Sequence, residues 1–148
     1  MLRSTLVAAA ALLAASAAAA QDHARVAAEG SVAEVADRLA EAARQAGATV
    51  FARVDHGAGA AAVGSPIPDA ELVVFGNPAL GTPAIAADPR AGLVLPLRVL
   101  VHAEADGTVL TYERVETMFE GLDIPADAAF RARMAGALER LTAAAAAP

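Results

Sequence analysis

Apolar and polar positions repeat along this chain with two periods, and the changes of period mark its elements. Between residues 32 and 46 the apolar residues Val32, Val35, Leu39, Ala43 and Ala46 recur every three or four positions, with Asp37, Arg38, Glu41 and Arg44 between them. That spacing predicts an amphipathic helix with one buried stripe. Its start is written in Ser31-Val32-Ala33-Glu34, a capping box in which the serine hydroxyl takes a first-turn amide and the glutamate reaches back to the serine amide. Gly47 stands where a left-handed C-terminal cap belongs. From Thr49 to Asp55 the period drops to two: Val50, Ala52 and Val54 point one way, Phe51, Arg53 and Asp55 the other, as in a strand.

Other strands are predicted at His23 to Ala27, broken by Gly30, and at Glu71 to Phe75. Leu93 to Ala103 reads as a long strand apolar on both faces, with Leu95, Leu97, Val99 and Val101 on one and Val94, Pro96 and Leu100 on the other. Asp106-Gly107 then makes a tight hairpin, and Thr108 to Glu113 returns antiparallel. The small residues from Gly57 to Gly64 suit a turn plus a short helix packed tightly on the sheet. Asn77 and Pro78 are an N-cap and a first helical residue. That helix is expected to be interrupted near Gly81-Thr82-Pro83 and to reach about Ala87, where Asp88-Pro89 repeats the signal. A last helix, over about residues 125–143, opens at Asp123-Ile124-Pro125 and has Phe130, Met134, Leu138 and Leu141 on one face, with a frayed alanine tail. The order β-α-β-β-α-β-β-α indicates an α+β fold, a mixed or mostly antiparallel sheet with helices packed on one face. Residues 21–148 read as a single domain.

The N-terminus adds a compartment. Arg3, the apolar run from Leu6 to Ala15 and Ala18-Ala19-Ala20 form the three parts of a secretory signal peptide over residues 1–20. Gln21 is then the first mature residue, and the expected location is the periplasm of a Gram-negative cell. A bilayer span needs about 20 apolar residues, longer than this run, so no stable membrane insertion is expected after cleavage. The net charge of −6 becomes more negative once Arg3 is removed, every basic residue is arginine, and there is no Trp, one Tyr and four Phe. An acidic chain with few rings repels phosphate backbones and offers no stacking platform; nucleic acid is not an expected partner. The absence of cysteine excludes thiol catalysis, thiolate metal sites and disulfides.

Five residues stand out as candidate ligand-binding or catalytic groups: Arg53, Asp55, His56, Gly76 and Asn77. His56 suits a general acid/base or a ligand contact, oriented by Asp55, if the strand ends between them, as Gly57 suggests. The structural alternative has Asp55 capping the following turn and His56 satisfying a buried carbonyl. Asn77 is a helix cap, or part of a helix start whose free amides hold an anion, with Gly76 and Gly81 allowing close approach. Arg53 and Arg98 are expected on one sheet face with Phe51 and Leu100, for a carboxylate, a subunit contact or salt bridges at the rim. A metal needs three or more ligands; His23, His56 and His102 lack ligand spacing, so no metal and no cofactor are expected.

The stretches Phe51-Ala52-Arg53-Val54-Asp55-His56, Ala58-Gly59-Ala60, Val73-Val74-Phe75-Gly76-Asn77-Pro78, Gly81-Thr82-Pro83, Asp88-Pro89-Arg90 and Leu95-Pro96-Leu97, with the hairpin and Tyr112, together cover about residues 31–115. This combination resembles the domain-of-unknown-function family numbered 302. The resemblance implies a small α+β unit that forms symmetric dimers and implies no general activity. The chain departs from the family near Ala84–Ile85, where a methionine or bulkier residue is often found. The favoured reading is a dimeric small-molecule-binding or assembly module with a pocket between the sheet and the helix that starts at Asn77. The homodimer follows from the strand apolar on both faces, which needs a second layer. The alternative is a small hydrolase or isomerase using His56 with Asp55, for which no nucleophile accompanies the pair.

Overall fold

Five strands pair antiparallel throughout, in the spatial order β1-β5-β4-β3-β2. They are β1 (His23–Ala28), β2 (Thr49–Asp55), β3 (Ala70–Gly76), β4 (Leu97–Glu104) and β5 (Gly107–Glu113). The structure, a computed structural model, describes residues 23–148; the expected signal peptide at residues 1–20 and its cleavage site lie outside the described residues. The helices are α1 (Val32–Gln45), α2 (His56–Ala62), α3 (Pro78–Ala87), the short α4 (Val115–Met118) and α5 (Ala129–Ala146), with a 3-10 turn at Pro89–Leu93. The α+β class, the antiparallel sheet and the strand-helix order are those expected.

Local chemistry explains why the elements begin and end where they do. Ser31 and Glu34 close the capping box at the start of α1. At its other end Gly47 adopts φ +79°, and the amides of Gly47 and Ala48 bond back to the carbonyls of Arg44 and Ala43 at 2.9 Å each, the pair of bonds that defines a Schellman cap. Val35, Ala36, Leu39, Ala40 and Ala43 of α1 are fully buried. They meet the covered face of the sheet, where Val73, Phe75, Val99, Val101 and Leu110 are at most 1% exposed. Helix α5 packs beside α1 and against β1, contributing Met134 and Leu138 to the same core.

Several expectations change on folding. Strand β4 starts at Leu97, not Leu93: residues 89–93 form the 3-10 turn, and Pro96 has no amide to give the ladder. The outer face of the strand therefore carries Arg98, Leu100 and His102 rather than Val94 and Pro96. Helix α3 runs unbroken through Gly81 and Pro83, giving up only the amide that would have met the Ala79 carbonyl. The last helix begins at Ala129, not at Asp123-Ile124-Pro125, because the Asp123 amide donates to Asp88 Oδ2 at 2.9 Å and Ile124 is buried. Its alanine end is not frayed. Arg38 Nε donates to the Ala145 carbonyl and the Glu29 amide to the Ala146 carbonyl, at 2.9 and 3.0 Å. Helix α2 does form, but none of its residues is buried.

The largest change is at β2. Val50 pairs with Phe75 and Ala52 with Val74, so Phe51 is an extra residue in a bulge. A bulge resets the alternation of faces. Val50 now shares the covered face with Arg53, which lies opposite Val73, and this separates Arg53 from Arg98, which lies opposite Val74 on the open face. The expected grouping of the two arginines with Phe51 and Leu100 does not occur.

Candidate ligand pocket

At the end of the sheet where β3 hands over to α3, side chains leave a pocket of about 290 Å³. Three features of the sequence make it. The bulge sends Phe51 off the regular pleat, and its ring is 58% exposed along one wall. Pro78, Leu80, Gly81, Thr82 and Ile85 of α3 form a second wall, and Gly92 with Leu95-Pro96-Leu97 a third. Buried Met134 of α5 also lines it. Gly76 leaves little clearance: a Cβ there would stand 3.3 Å from Pro96 Cβ and 3.4 Å from the Phe51 ring, so Pro96 or Phe51 would have to shift slightly.

Asn77 sits at the junction with one bond at each end of its side-chain amide. Its Oδ1 accepts from the Ala79 amide at 2.9 Å and its Nδ2 donates to the Gly47 carbonyl at 3.3 Å. The amides of Leu80 and Gly81 both donate to the Asn77 carbonyl, at 2.9 and 3.0 Å, and Pro78 has no amide. Every first-turn amide of α3 therefore has a partner, and the expected anion cradle of free amides is absent at this helix start.

The other candidates lie elsewhere. Asp55 caps α2, accepting from the Ala58 amide at 2.8 Å, which is the structural alternative rather than the orienting role. His56, on the first turn of α2, is exposed, so it does not serve a buried carbonyl. Asp55 pairs with Glu71 at the far end of β2, four residues or about 13 Å along the strand from Phe51. Arg53 lies between the two ends, bonded to Asp37 at 2.6 Å and to both oxygens of Glu71. The two carboxylates hold its guanidinium even further above neutrality than an ordinary arginine. It ties α1, β2 and β3 together and does not line the pocket. Of the five candidates, the structure brings Gly76 and Asn77 to the pocket and leaves Arg53, Asp55 and His56 outside it.

The three histidines do not meet. His23 is on edge strand β1 and His56 opens α2 directly after the opposite edge strand β2; those two strands are four spacings or about 19 Å apart. His102 lies on the central strand, its Nε2 2.9 Å from Thr111 Oγ1. Among the described residues no group of histidine and acidic side chains is gathered as a metal site would need.

Asp88, buried beneath α3, braces the approach to the pocket wall. It accepts from the Arg90 amide and guanidinium and from the Asp123 amide, and these donors hold its carboxyl well below the usual carboxylate range, the Arg90 side chain most of all. A depressed folded-state value means that its stabilising contribution is present above the ordinary carboxylate range and is lost as pH falls through the folded value.

Sequence reading placed the pocket beside Asn77 but missed Phe51, Ile85, Leu95 and Met134 as its walls. The available signal was the run of large apolar residues flanking a proline at Leu95-Pro96-Leu97, beyond what a strand end requires.

The sequence model described as Domain of unknown function DUF302 matches residues 24–147. Among curated proteins, "Fluoride-specific ion channel FluC 1" of Brucella suis biovar 1 is 46% identical over 79 residues, 53% of this chain and 31% of that protein. "Fluoride-specific ion channel FluC 2" of Brucella melitensis biotype 1 is also 46% identical over 79 residues, 53% of this chain and 29% of its own length. The chain thus spans less than a third of the length of these relatives. Among solved structures, the crystal structure of uncharacterized conserved protein DUF302 from Bacillus stearothermophilus has a TM-score of 0.77 at 18% identity, covering 85% of this chain and 99% of the other. At that identity the likeness is one of fold.

Proposed function

The chain belongs to the DUF302 family, and on its geometry we propose that it is a dimeric small-molecule-binding module of the periplasm. The observation that carries the ligand reading is the pocket itself. It combines a concave apolar surface with an exposed aromatic ring, and apolar concavities with few polar groups are the usual form of a small-molecule site. The test is a fluorescence titration with N-phenyl-1-naphthylamine, an uncharged probe that brightens on leaving water. Saturable binding of one probe per subunit is expected. Gly81→Leu should abolish it. A Cβ at Gly81 meets Leu95 Cδ1 at 3.8 Å, so the added side chain grows into the pocket without a backbone clash, and leucine is the better helix former. Unchanged titration of a folded Gly81→Leu variant would remove the pocket reading.

The dimer reading rests on the open face of the sheet, which neither α1 nor α5 covers. The reading as a hydrolase or isomerase through His56 and Asp55 has less support, because the carboxylate is engaged as a cap and the pair is remote from the pocket. The likeness to proteins named as fluoride-specific ion channels supports a shared module rather than a shared conduction path. Fluoride is a small anion and needs cations or free donors, and the residues lining the pocket include no charged side chain. Among the described residues no helix is long and apolar enough to cross a membrane. Export is the remaining part of the proposal. Intact mass of protein taken from the periplasm is expected to begin at Gln21, and recovery of the full-length chain from the membrane fraction would overturn it.

A further inference from the structure

We propose that the pocket selects an uncharged, apolar ligand of about two fused rings or an eight- to ten-carbon chain, and discriminates against an anion or cation of the same shape. This inference rests on the pocket reading above and names the class of ligand. Size follows from volume: a cavity of roughly 150 Å³ lined by aliphatic and aromatic side chains accepts one benzene, and the space here is about 290 Å³. Charge selectivity follows from the walls. Among the described residues, Asn77 and Thr82 are the only polar side chains that line the pocket, and both ends of the Asn77 amide already have partners. The first-turn amides of α3 are likewise taken.

Two arginines close in sequence to the lining are already paired. Arg53 is held between Asp37 and Glu71, and Arg90 is clamped onto Asp88. An anion entering the pocket would lose hydration and meet only the neutral donors of Thr82 and Asn77, with no cation to balance it, in a chain whose net charge of −6 already disfavours its approach. A cation would find no carboxylate in the walls and only the single ring of Phe51, a weak attraction at an exposed site. A neutral molecule pays neither penalty. Thr82 is exposed beside the mouth, so a hydroxyl at one end of the ligand can remain in water there.

The experiment uses three molecules with one ten-carbon chain and a small head group, decan-1-ol, decanoate and decylammonium. Each is titrated below its micelle concentration at pH 8 against the mature protein loaded with N-phenyl-1-naphthylamine, and calorimetry measures binding directly. Decanol is expected to displace the probe at a concentration at least tenfold lower than either ion, and to lose that ability with Gly81→Leu. Decanoate or decylammonium binding as tightly as decanol would overturn the ligand class while leaving the pocket reading intact. Failure of all three to displace a bound probe would also overturn it. Failure of the probe itself to bind would show that the pocket reading, and this inference with it, is wrong.

Discussion

Replacing Phe75 by alanine is expected to lower the stability of the domain by about 3–5 kcal/mol, the range for deleting a fully buried ring. Phe75 is 1% exposed and is among the largest fully buried side chains of the core. It lies opposite Val50 on one side and Leu97 on the other, on the sheet face covered by α1. The small alanines of that helix, Ala36, Ala40 and Ala43, cannot extend to fill the space, so a cavity should persist and the cost should approach the upper end. Typical domains have only about 5–15 kcal/mol to lose, so the variant is expected to remain marginally folded at best. A second consequence is local. Edge strand β2 is exposed along most of its length and is held mainly by its ladder with β3 and by the Arg53 ion pairs. Loosening Phe75 should therefore also loosen Phe51 and the pocket wall. Urea denaturation measures the first effect, and probe affinity at low urea the second. A loss below about 1 kcal/mol would contradict the central place given to this ring.

The features legible in the sequence were those decided within a few residues. The capping box at Ser31, the Schellman glycine at Gly47 and the Asn77-Pro78 and Asp88-Pro89 starts all depend on short-range hydrogen bonds and on φ; the hairpin was legible too, but its two loop residues are Ala105 and Asp106 rather than Asp106 and Gly107, which opens β5 opposite Glu104. The features not legible depend on a partner strand or helix. Nothing within the Thr49–Asp55 pattern announces that Val50 and Ala52 will take neighbouring partners, Phe75 and Val74, and expel Phe51 into a bulge. Nor does the alanine tail announce that Arg38 and Glu29 will satisfy its last carbonyls. The same division holds for the site. Gly76 and Asn77 were readable as a helix start with room beside it. That the amides there are all engaged, and that Asp55 and His56 fall at the other end of β2, required the assembled sheet.

The second large effect is expected from Leu100→Asp, which should convert the proposed dimer into a monomer at all accessible concentrations. Leu100 is midway along the central strand of the five. It faces away from the helices and is flanked across the ladders by Leu72 and Thr111. Ala52, Val54, Val74 and Val109 extend the same face, which also carries Arg98 and His102 on either side of Leu100. At its rim Arg25 pairs with Glu104 at 2.6 Å and Arg98 with Glu113 at 3.8 Å, so much of its charge is locally paired. Five strands at about 4.8 Å spacing and about 20 Å length give each copy a face of roughly 500 Å². Two such faces bury about 1,000 Å², the lower limit for a specific interface. Such a dimer should be of micromolar strength, visible as concentration-dependent sedimentation of the unaltered protein. Burying an unpaired carboxylate near a twofold axis, where it meets its own copy, is expected to raise the dissociation constant at least a hundredfold. The monomer should survive, because Val99 and Val101, on the opposite face of the strand, carry the core. Helix α5 cannot take the place of a second subunit, since it lies beside α1 on the face already covered. A monomer across the micromolar range for the unaltered protein, or an undisturbed dimer for Leu100→Asp, would show that the open face is not the contact.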